Sequence, residues 1–274
     1  MNERQLGFTI IEVVLFFAIS TMLLVVALRT MSGTIASARF QDGVKTTESF
    51  ITAQYSRVQA NSVTRPVLST NESVTCPISG ALNITATGGT NNQGDSNSCS
   101  LLGEVLKFND NNVEVYAVLG NSNIGTSGGT LGALAQARPR VFTRATPAPT
   151  ETWLMPWGMT KKSMKTIRLG PAGDDFDSIA ILRSPGSEAI NLYFYNFTDD
   201  LALQVSNDEQ GISDRRNTAS LICLQSPDTD TLRGAIKFTS DNNSTNYSVS
   251  SIEGKGVTPD QVLLSQNGVI LQCL

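Results

Sequence analysis

The chain has 274 residues and a mass of 29.3 kDa, enough for one or two domains with a buried core. Its 20 basic and 24 acidic side chains make it weakly acidic, which excludes a protein that coats nucleic acid along its whole length. It contains no histidine, which excludes histidine-based catalytic triads, Cys-His dyads and histidine metal sites.

The N-terminal end carries an apolar run from Phe8 to Leu28, in which Glu12 is the one ionisable side chain. As a helix these 21 residues would cover about 31 Å, close to the ~30 Å hydrocarbon core of a bilayer. A buried helix of a soluble protein is the alternative, but a long helix that is apolar on every side favours a membrane span in contact with lipid. The polar leader, residues 1–7, directly precedes the run, whereas a secretory signal places its cleavage site after the apolar stretch.

Glu12 needs a partner, because a carboxylate inside a bilayer costs at least ~2.5 kcal/mol. Arg29, the next basic residue, lies 17 positions away, about 25 Å along a helix, and is out of reach. The partner must therefore be another molecule or a free N-terminal amine. Cleavage after Gly7 would place that amine on Phe8, where it can meet Glu12 of a neighbouring copy displaced along the helix axis. Repetition of such a head-to-tail contact does not close into a ring and generates a helical filament.

The residues G-F-T-I-I-E-V at positions 7–13 resemble the cleavage and methylation motif of type IV prepilins and pseudopilins. Gly7, Phe8, Glu12 and the apolar tract carry the resemblance, which covers residues 1–35. It implies cleavage after Gly7 and N-methylation of Phe8 by a prepilin peptidase/methyltransferase. It further implies assembly with other pilin subunits by an inner-membrane platform and its ATPase. The implied location is a single-pass cytoplasmic membrane protein with an extracytoplasmic C-terminal domain, and an extracellular pilus after assembly.

Beyond the apolar run, apolar residues recur at helical spacing without an intervening proline. They are Phe40, Val44, Ile51, Tyr55 and Val58. We predict one helix over residues 8–65, with a membrane-spanning part at 8–28 and an amphipathic part that needs an apolar surface to cover. Gly33 and Gly43 are expected weak points in this helix, at about 1 kcal/mol each relative to alanine.

Residues 66–100 are rich in Ser, Thr, Asn and Gly and predict a long loop. Short β-like runs follow, separated by Asn, Gly, Asp and Pro. They read LLGEVLKF, VEVYAVL, SIAILR, INLYFYNF, ASLICL, GAIKFT and VILQC. We therefore predict a β-rich extracytoplasmic domain over 66–274 and an α+β fold, with the long N-terminal helix packed on an antiparallel β-sheet. The resemblance to pilins implies the same plan.

The four cysteines are Cys76, Cys99, Cys223 and Cys273, and four cysteines allow three pairings. Disulfides are expected in an exported domain. We favour Cys76–Cys99 and Cys223–Cys273, because pairing of the nearest partners closes the smaller loops. A zinc site is the competing interpretation, but the chain has no C-x-x-C pair. We expect no metal and no cofactor.

Residues 138–168 form a basic segment, with seven basic side chains against one acidic. The candidate ligand-binding residues in it are Arg138, Arg140, Arg144, Trp153, Trp157, Lys161, Lys162, Lys165 and Arg168. Basic side chains beside indoles suit DNA or an anionic glycan, and the plainer interpretation is a solvated loop whose tryptophans pack on a sheet edge. Residues 174–214 are acidic, which suits contacts between neighbouring subunits. Within that region GDDFD at 173–177 offers oxygen ligands for Ca²⁺, although a solvated turn is the commoner explanation.

The sequence therefore predicts a structural subunit, a minor pilin or pseudopilin, of a type IV pilus or type II secretion-like filament. The large size of the chain beside a usual major pilin favours the minor role. The alternative is a pilus-tip or membrane-anchored binding module for DNA or anionic glycan, used in adhesion or DNA uptake. We expect no enzymatic activity, because the chain lacks histidine and a matched pair of carboxylates.

Overall fold

The N-terminal helix, α1, runs from Ile10 to Gln59 and is about 75 Å long. The computed structural model describes residues 9–63, 72–75, 83–86, 99–121, 134–142, 149–166, 174–185, 189–197, 220–227, 233–240, 247–252, 263–266 and 269–272. The helix is continuous through Gly33 and Gly43, where the sequence predicted weak points. Tertiary packing therefore compensates at Gly43 for the low helix propensity of glycine.

The C-terminal end of α1 is a Schellman motif, which explains why the helix stops at Gln59 and not at the predicted residue 65. Asn61 adopts a left-handed backbone conformation with φ 53°. The Asn61 N–H donates to the Val58 carbonyl at 3.1 Å, and the Ser62 N–H donates to the Arg57 carbonyl at 2.9 Å. Asparagine tolerates this conformation, so the chain turns away with its last helical carbonyls satisfied.

The amphipathic half of α1 buries the side that its periodicity predicted. Phe40, Val44, Ile51 and Val58 are all buried, and Tyr55 is half-buried beside them. This side packs on strands of two different β-sheets, whereas the sequence predicted one sheet. The prediction of an α+β fold with an antiparallel sheet under the helix is confirmed at this coarser level.

The first sheet has six strands, and every pairing in it is antiparallel. Its strands are β3 (Cys99–Phe108), β4 (Asn112–Asn121), β5 (Arg140–Val141), β6 (Glu151–Leu154), β9 (Ser178–Arg183) and β10 (Ile190–Tyr195). Their order is β10-β9-β3-β4-β5, and β6 pairs with the other end of β4. The runs LLGEVLKF, VEVYAVL and SIAILR are confirmed as strands, and the run INLYFYNF is confirmed over its first six residues.

The second sheet has five strands and is also antiparallel. They are β7 (Thr160–Thr166), β8 (Asp174–Asp175), β11 (Ser220–Gln225), β12 (Arg233–Ser240) and β13 (Tyr247–Ile252), in the order β13-β12-β11-β7-β8. A 3₁₀ turn at Pro156–Gly158 follows β6 of the first sheet and leads into β7 of the second. This connection places both sheets against α1.

The predicted loop over residues 66–100 is wrong in part, because it contains a hairpin. Strands β1 (Glu72–Thr75) and β2 (Asn83–Ala86) pair antiparallel, and Val74 lies opposite Ile84. β-Branched residues opposite one another stabilise such a pair, and four-residue strands are too short to show a clear alternation in sequence. A second hairpin joins β14 (Leu263–Gln266) to β15 (Val269–Gln272), which confirms the run VILQ.

The main core lies between α1 and the two sheets. It includes Phe108 and Ile181 of the first sheet and Ile222 and Phe238 of the second, all 1% exposed or less. Gly234 of β12 permits the close approach, since a Cβ atom there would lie 2.8 Å from the Val44 Cγ2 atom. The helix therefore closes the seam between the sheets.

Candidate functional site

The start of α1 is the first part of the candidate site. Thr9 caps the helix, and its hydroxyl accepts a hydrogen bond from the Glu12 N–H at 3.3 Å. Glu12 thereby falls in the first helical turn, where the helix dipole favours a negative charge. Gly7 and Phe8, the predicted processing residues, lie outside the described residues.

The first half of α1 is apolar and unpacked. Residues Ile10–Leu28 form a candidate membrane span of 19 residues, and none of the span is buried in the protein. The Thr21 hydroxyl in its middle donates to the Phe17 carbonyl at 2.5 Å, so its polar atom is satisfied within the helix. Length and composition therefore suit a lipid environment, as the sequence predicted.

The Glu12 side chain is exposed on this unpacked half of α1. No ion pair found among the described residues includes it. Its predicted partner, the Phe8 amine of a second copy, belongs to an assembly, and the assembly contact stays a prediction. A charged side chain so placed requires a partner from outside the helix.

A strap formed by β6 and the following 3₁₀ turn, residues 151–158, runs along one flank of α1 in the opposite direction. The Glu151 carboxylate accepts from the Arg57 Nη1 atom at 2.8 Å. The Trp153 ring stacks on Phe50 with centroids 4.4 Å apart and planes 8° apart. The strap therefore fixes the second half of the helix over several turns.

The strap ends at Trp157, whose indole N–H donates to the Asp42 Oδ2 atom at 3.0 Å. The Arg39 guanidinium carbon lies 5.2 Å from the centroid of the same ring. Trp157 has φ 58°, a left-handed conformation that costs a bulky residue roughly 1–3 kcal/mol. The contacts with α1 offset this strain and hold an indole that is 52% exposed.

This placement corrects the interpretation of both tryptophans. The plainer of the two interpretations was a solvated loop with tryptophans on a sheet edge, yet the segment contributes strands to both sheets and both indoles contact α1. Gly43 makes room for the end of the strap and the residue after it, because a Cβ atom there would lie 3.4 Å from the Trp157 Cδ1 atom and 2.7 Å from the Met159 Sδ atom. No local sequence pattern signals these contacts, since the Trp157–Asp42 pair is 115 residues apart.

Glu104 is a buried carboxyl that the sequence reasoning missed. It lies on β3 on the side that faces α1, two residues before buried Leu106, and is 1% exposed. Its Oε2 atom has no hydrogen-bond partner among the described residues. Burial raises the pKa of Glu104 to about 7; Arg57 lowers that pKa and Glu151 raises it. The available signal was a single glutamate inside the apolar strand LLGEVLKF.

The basic residues of the candidate ligand site do not form one patch among those described. Arg140 pairs with Leu119 on β4. The Lys161 N–H donates to the Asp110 carbonyl just before the other end of β4, where Asn112 lies about 23 Å from Leu119 at the rise of a strand. Arg138 is exposed near the first position and Lys162 near the second. The Lys161 ammonium donates to the Phe108 carbonyl at 2.6 Å.

Among the remaining basic residues of the segment, the structure describes only the backbone of Lys165. Lys165 of β7 pairs through its backbone with Asp175 of β8. Arg144 and Arg168 lie outside the described residues. Binding of DNA or an anionic glycan by this segment stays a prediction.

The described part of the GDDFD segment, residues 174–177, begins with a short strand. Asp174 and Asp175 are β8, and Phe176 is buried in the core. Asp177 accepts from the Ser178 hydroxyl at 2.7 Å and from the Phe197 N–H at 2.6 Å. Within the described ranges no three His, Cys, Asp or Glu side chains are grouped to hold a metal ion.

Cys99 and Cys223 are both disulfide-bonded. Cys99 begins β3 of the first sheet and Cys223 lies in β11 of the second, so both of these sheets carry a bonded cysteine. Cys76 and Cys273 lie outside the described residues, and the favoured pairing stays a prediction. Disulfide bonds agree with the expectation of an exported domain.

No protein-family model, curated protein or solved structure matches this chain. The resemblance at residues 7–13 therefore depends on the motif itself and on the exposed apolar helix that follows it.

Proposed function

We propose that this chain is a structural subunit, a minor pilin or pseudopilin, of a type IV pilus or type II secretion-like filament. It is cut after Gly7 and assembles with other copies or other pilin subunits through α1. The observation that carries the proposal is Glu12, exposed in the first turn of an apolar half-helix and unpaired among the described residues. A charge there needs a partner, and the Phe8 amine of a neighbouring subunit would supply one.

The two halves of α1 are suited to different roles. The first half presents apolar side chains to lipid or to neighbouring helices, and the second half is fixed to both sheets and to the strap. In this assignment the membrane stores the subunit, and the prepilin peptidase and the inner-membrane platform with its ATPase act on the exposed half. The globular domain then lies outside the cytoplasm, where its disulfides persist.

The deciding experiment combines processing and assembly. Intact mass and N-terminal peptide analysis of membrane-extracted and sheared protein is expected to find chains that begin at N-methylated Phe8. Glu12→Ala is expected to be processed and to enter sheared filaments poorly, because the amine of the neighbouring subunit loses its carboxylate. Glu48→Ala is the matched control, a half-buried glutamate on the packed half of α1, and is expected to assemble normally.

Chains that begin only at Met1 would refute the processing step. Normal incorporation of Glu12→Ala would refute the assembly contact, and a single-span anchored protein would then be the better explanation. The binding alternative has its own test, because salt-sensitive retention of the full chain on DNA or an anionic glycan would support it.

A further inference from the structure

The exposed apolar surface of α1 continues past the candidate membrane span on one side only. Leu24, Leu28, Met31 and Ile35 follow one another at steps of four, three and four, which places them on one side of the helix. Their side chains are 59%, 58%, 58% and 46% exposed. The opposite side becomes buried soon afterwards, beginning at Ser37 and Phe40.

The same side ends at Trp157. Arg39 and Asp42 continue the spacing by steps of four and three, and these two residues hold the indole through the cation-π contact and the hydrogen bond. Trp157 is half exposed in a strained backbone conformation. Its position is therefore fixed at the end of an apolar surface that begins inside the membrane span.

The length of this surface exceeds the thickness of a bilayer. Residues Ile10 to Ile35 extend about 39 Å along the helix, against a hydrocarbon core of ~30 Å. A tilt of about 40° matches the two lengths and lies at the upper end of the observed range. Since only the side of Met31 and Ile35 is apolar beyond Leu28, that side turns toward the bilayer.

We propose that Trp157 and Arg39 lie at the phospholipid headgroups of the outer leaflet when α1 spans the membrane, with Met31 and Ile35 just inside them. An indole combines an apolar body with one N–H donor, and a guanidinium binds phosphate, which suits both groups to this depth. The lipid-facing surface then consists of Met31, Ile35, Arg39 and Trp157. The inference requires only that α1 spans a membrane and is independent of filament assembly.

The chain has two tryptophans, which allows a direct test by depth-dependent quenching. Trp153→Phe leaves Trp157 as the only indole and keeps a ring on Phe50. Trp157→Phe is the matched control, because the remaining Trp153 stacks on Phe50, 11 residues or about 16 Å farther along α1 than Arg39. The full chain is reconstituted in phosphatidylcholine/phosphatidylglycerol vesicles with bromine near the headgroups or near the bilayer centre.

The Trp153→Phe protein is expected to lose about half of its fluorescence to the shallow bromines and much less to the deep ones, as for an indole at the interface. The Trp157→Phe control is expected to lose little fluorescence to either the shallow or the deep bromines. Adding Ile35→Ser to the Trp153→Phe protein should reduce the shallow quenching, and near-ultraviolet circular dichroism checks that each variant is folded.

Equal quenching of the two single-tryptophan proteins would overturn the proposal. A second result would also overturn it. In that result Trp157 is shielded from aqueous iodide and is not quenched by bromine, but becomes accessible to iodide when the protein is diluted in lipid. That second result would assign the surface to another copy of this chain.

Discussion

The Arg57 guanidinium lies 2.8 Å from the Glu151 carboxylate and joins the last turn of α1 to β6. The two side chains are 41% and 38% exposed, so the pair itself contributes about 0.2–1 kcal/mol. Its larger effect is on buried Glu104, whose pKa Arg57 lowers and Glu151 raises. A half-exposed ion pair therefore influences the protonation of a carboxyl inside the core.

Stability is expected to fall as the pH rises through about 7. Glu104 has its pKa raised from 4.5 to about 7 in the folded chain, so the folded state binds the proton more tightly than the unfolded state. The stabilisation is complete below pH 4.5 and is lost progressively as the pH rises from 4.5 through about 7, because in that range the unfolded state ionises at Glu104 while the folded state keeps the proton. At 1.36 kcal/mol per pKa unit the loss is about 3 kcal/mol, measurable by denaturant unfolding between pH 4 and pH 9.

Glu104→Gln should remove this contribution to the pH dependence, because an amide keeps the shape and does not ionise. Glu151→Gln provides a second check. It removes a charge that raises the pKa of Glu104 in the folded state, so the decline in stability should be smaller and should end at lower pH. An unchanged pH profile in Glu104→Gln would show that another group is responsible.

Trp153→Ala is expected to lower the free energy of unfolding by about 2 kcal/mol. The substitution removes a stacked contact with Phe50 and part of a large half-buried side chain. Trp157→Ala should lower the free energy of unfolding by less, because that indole is 52% exposed. The groups that contacted the indole remain accessible to solvent after its removal. Chemical denaturation of the two variants side by side measures the difference, and a reversed order would contradict the importance of the stack.

Gly234→Ala is expected to destabilise the chain by about 1–3 kcal/mol, the usual cost of overpacking a core. The added Cβ atom would lie 2.8 Å from the Val44 Cγ2 atom and 3.2 Å from the Phe40 Cε1 atom. Val44→Ala removes the nearer atom, so the double variant should be more stable than the two separate costs predict. Strict additivity in the double-mutant cycle would show that the contact is relieved elsewhere.

The disulfide pairing is expected to be Cys76–Cys99 and Cys223–Cys273. Peptide mapping of the unreduced protein identifies the linked peptides, and because Cys99 and Cys223 are both disulfide-bonded in the structure, the digest is expected to contain cross-linked peptides. Reduction should lower stability by about 2–4 kcal/mol for each bond. A Cys99–Cys223 peptide would show that the pairing of nearest cysteines is wrong.

The sequence by itself determined the elements whose signals are local. Helix α1 was predicted from the apolar run and from the periodic positions between Phe40 and Val58, and seven of the strands were predicted from short β-like runs. These predictions were possible because the helix and strand periods are visible in neighbouring residues. The motif at residues 7–13 gave the processing and assembly hypothesis in the same way. The short hairpin of β1 and β2 was not predicted, because strands of four residues are too short to establish a period.

Only the tertiary structure decided which side chains meet. Arg57 reaches Glu151 across 94 residues, and Trp157 reaches Asp42 across 115. Such contacts depend on the order of strands and on the seam that α1 closes, and no local pattern encodes them. For the same reason the basic residues looked like one patch in the sequence, whereas Arg140 and Lys161 lie near opposite ends of a stretch of β4 that is about 23 Å long. Burial of Glu104 follows likewise from the strand order, since a lone glutamate becomes a buried acid only when a helix covers its side of the sheet.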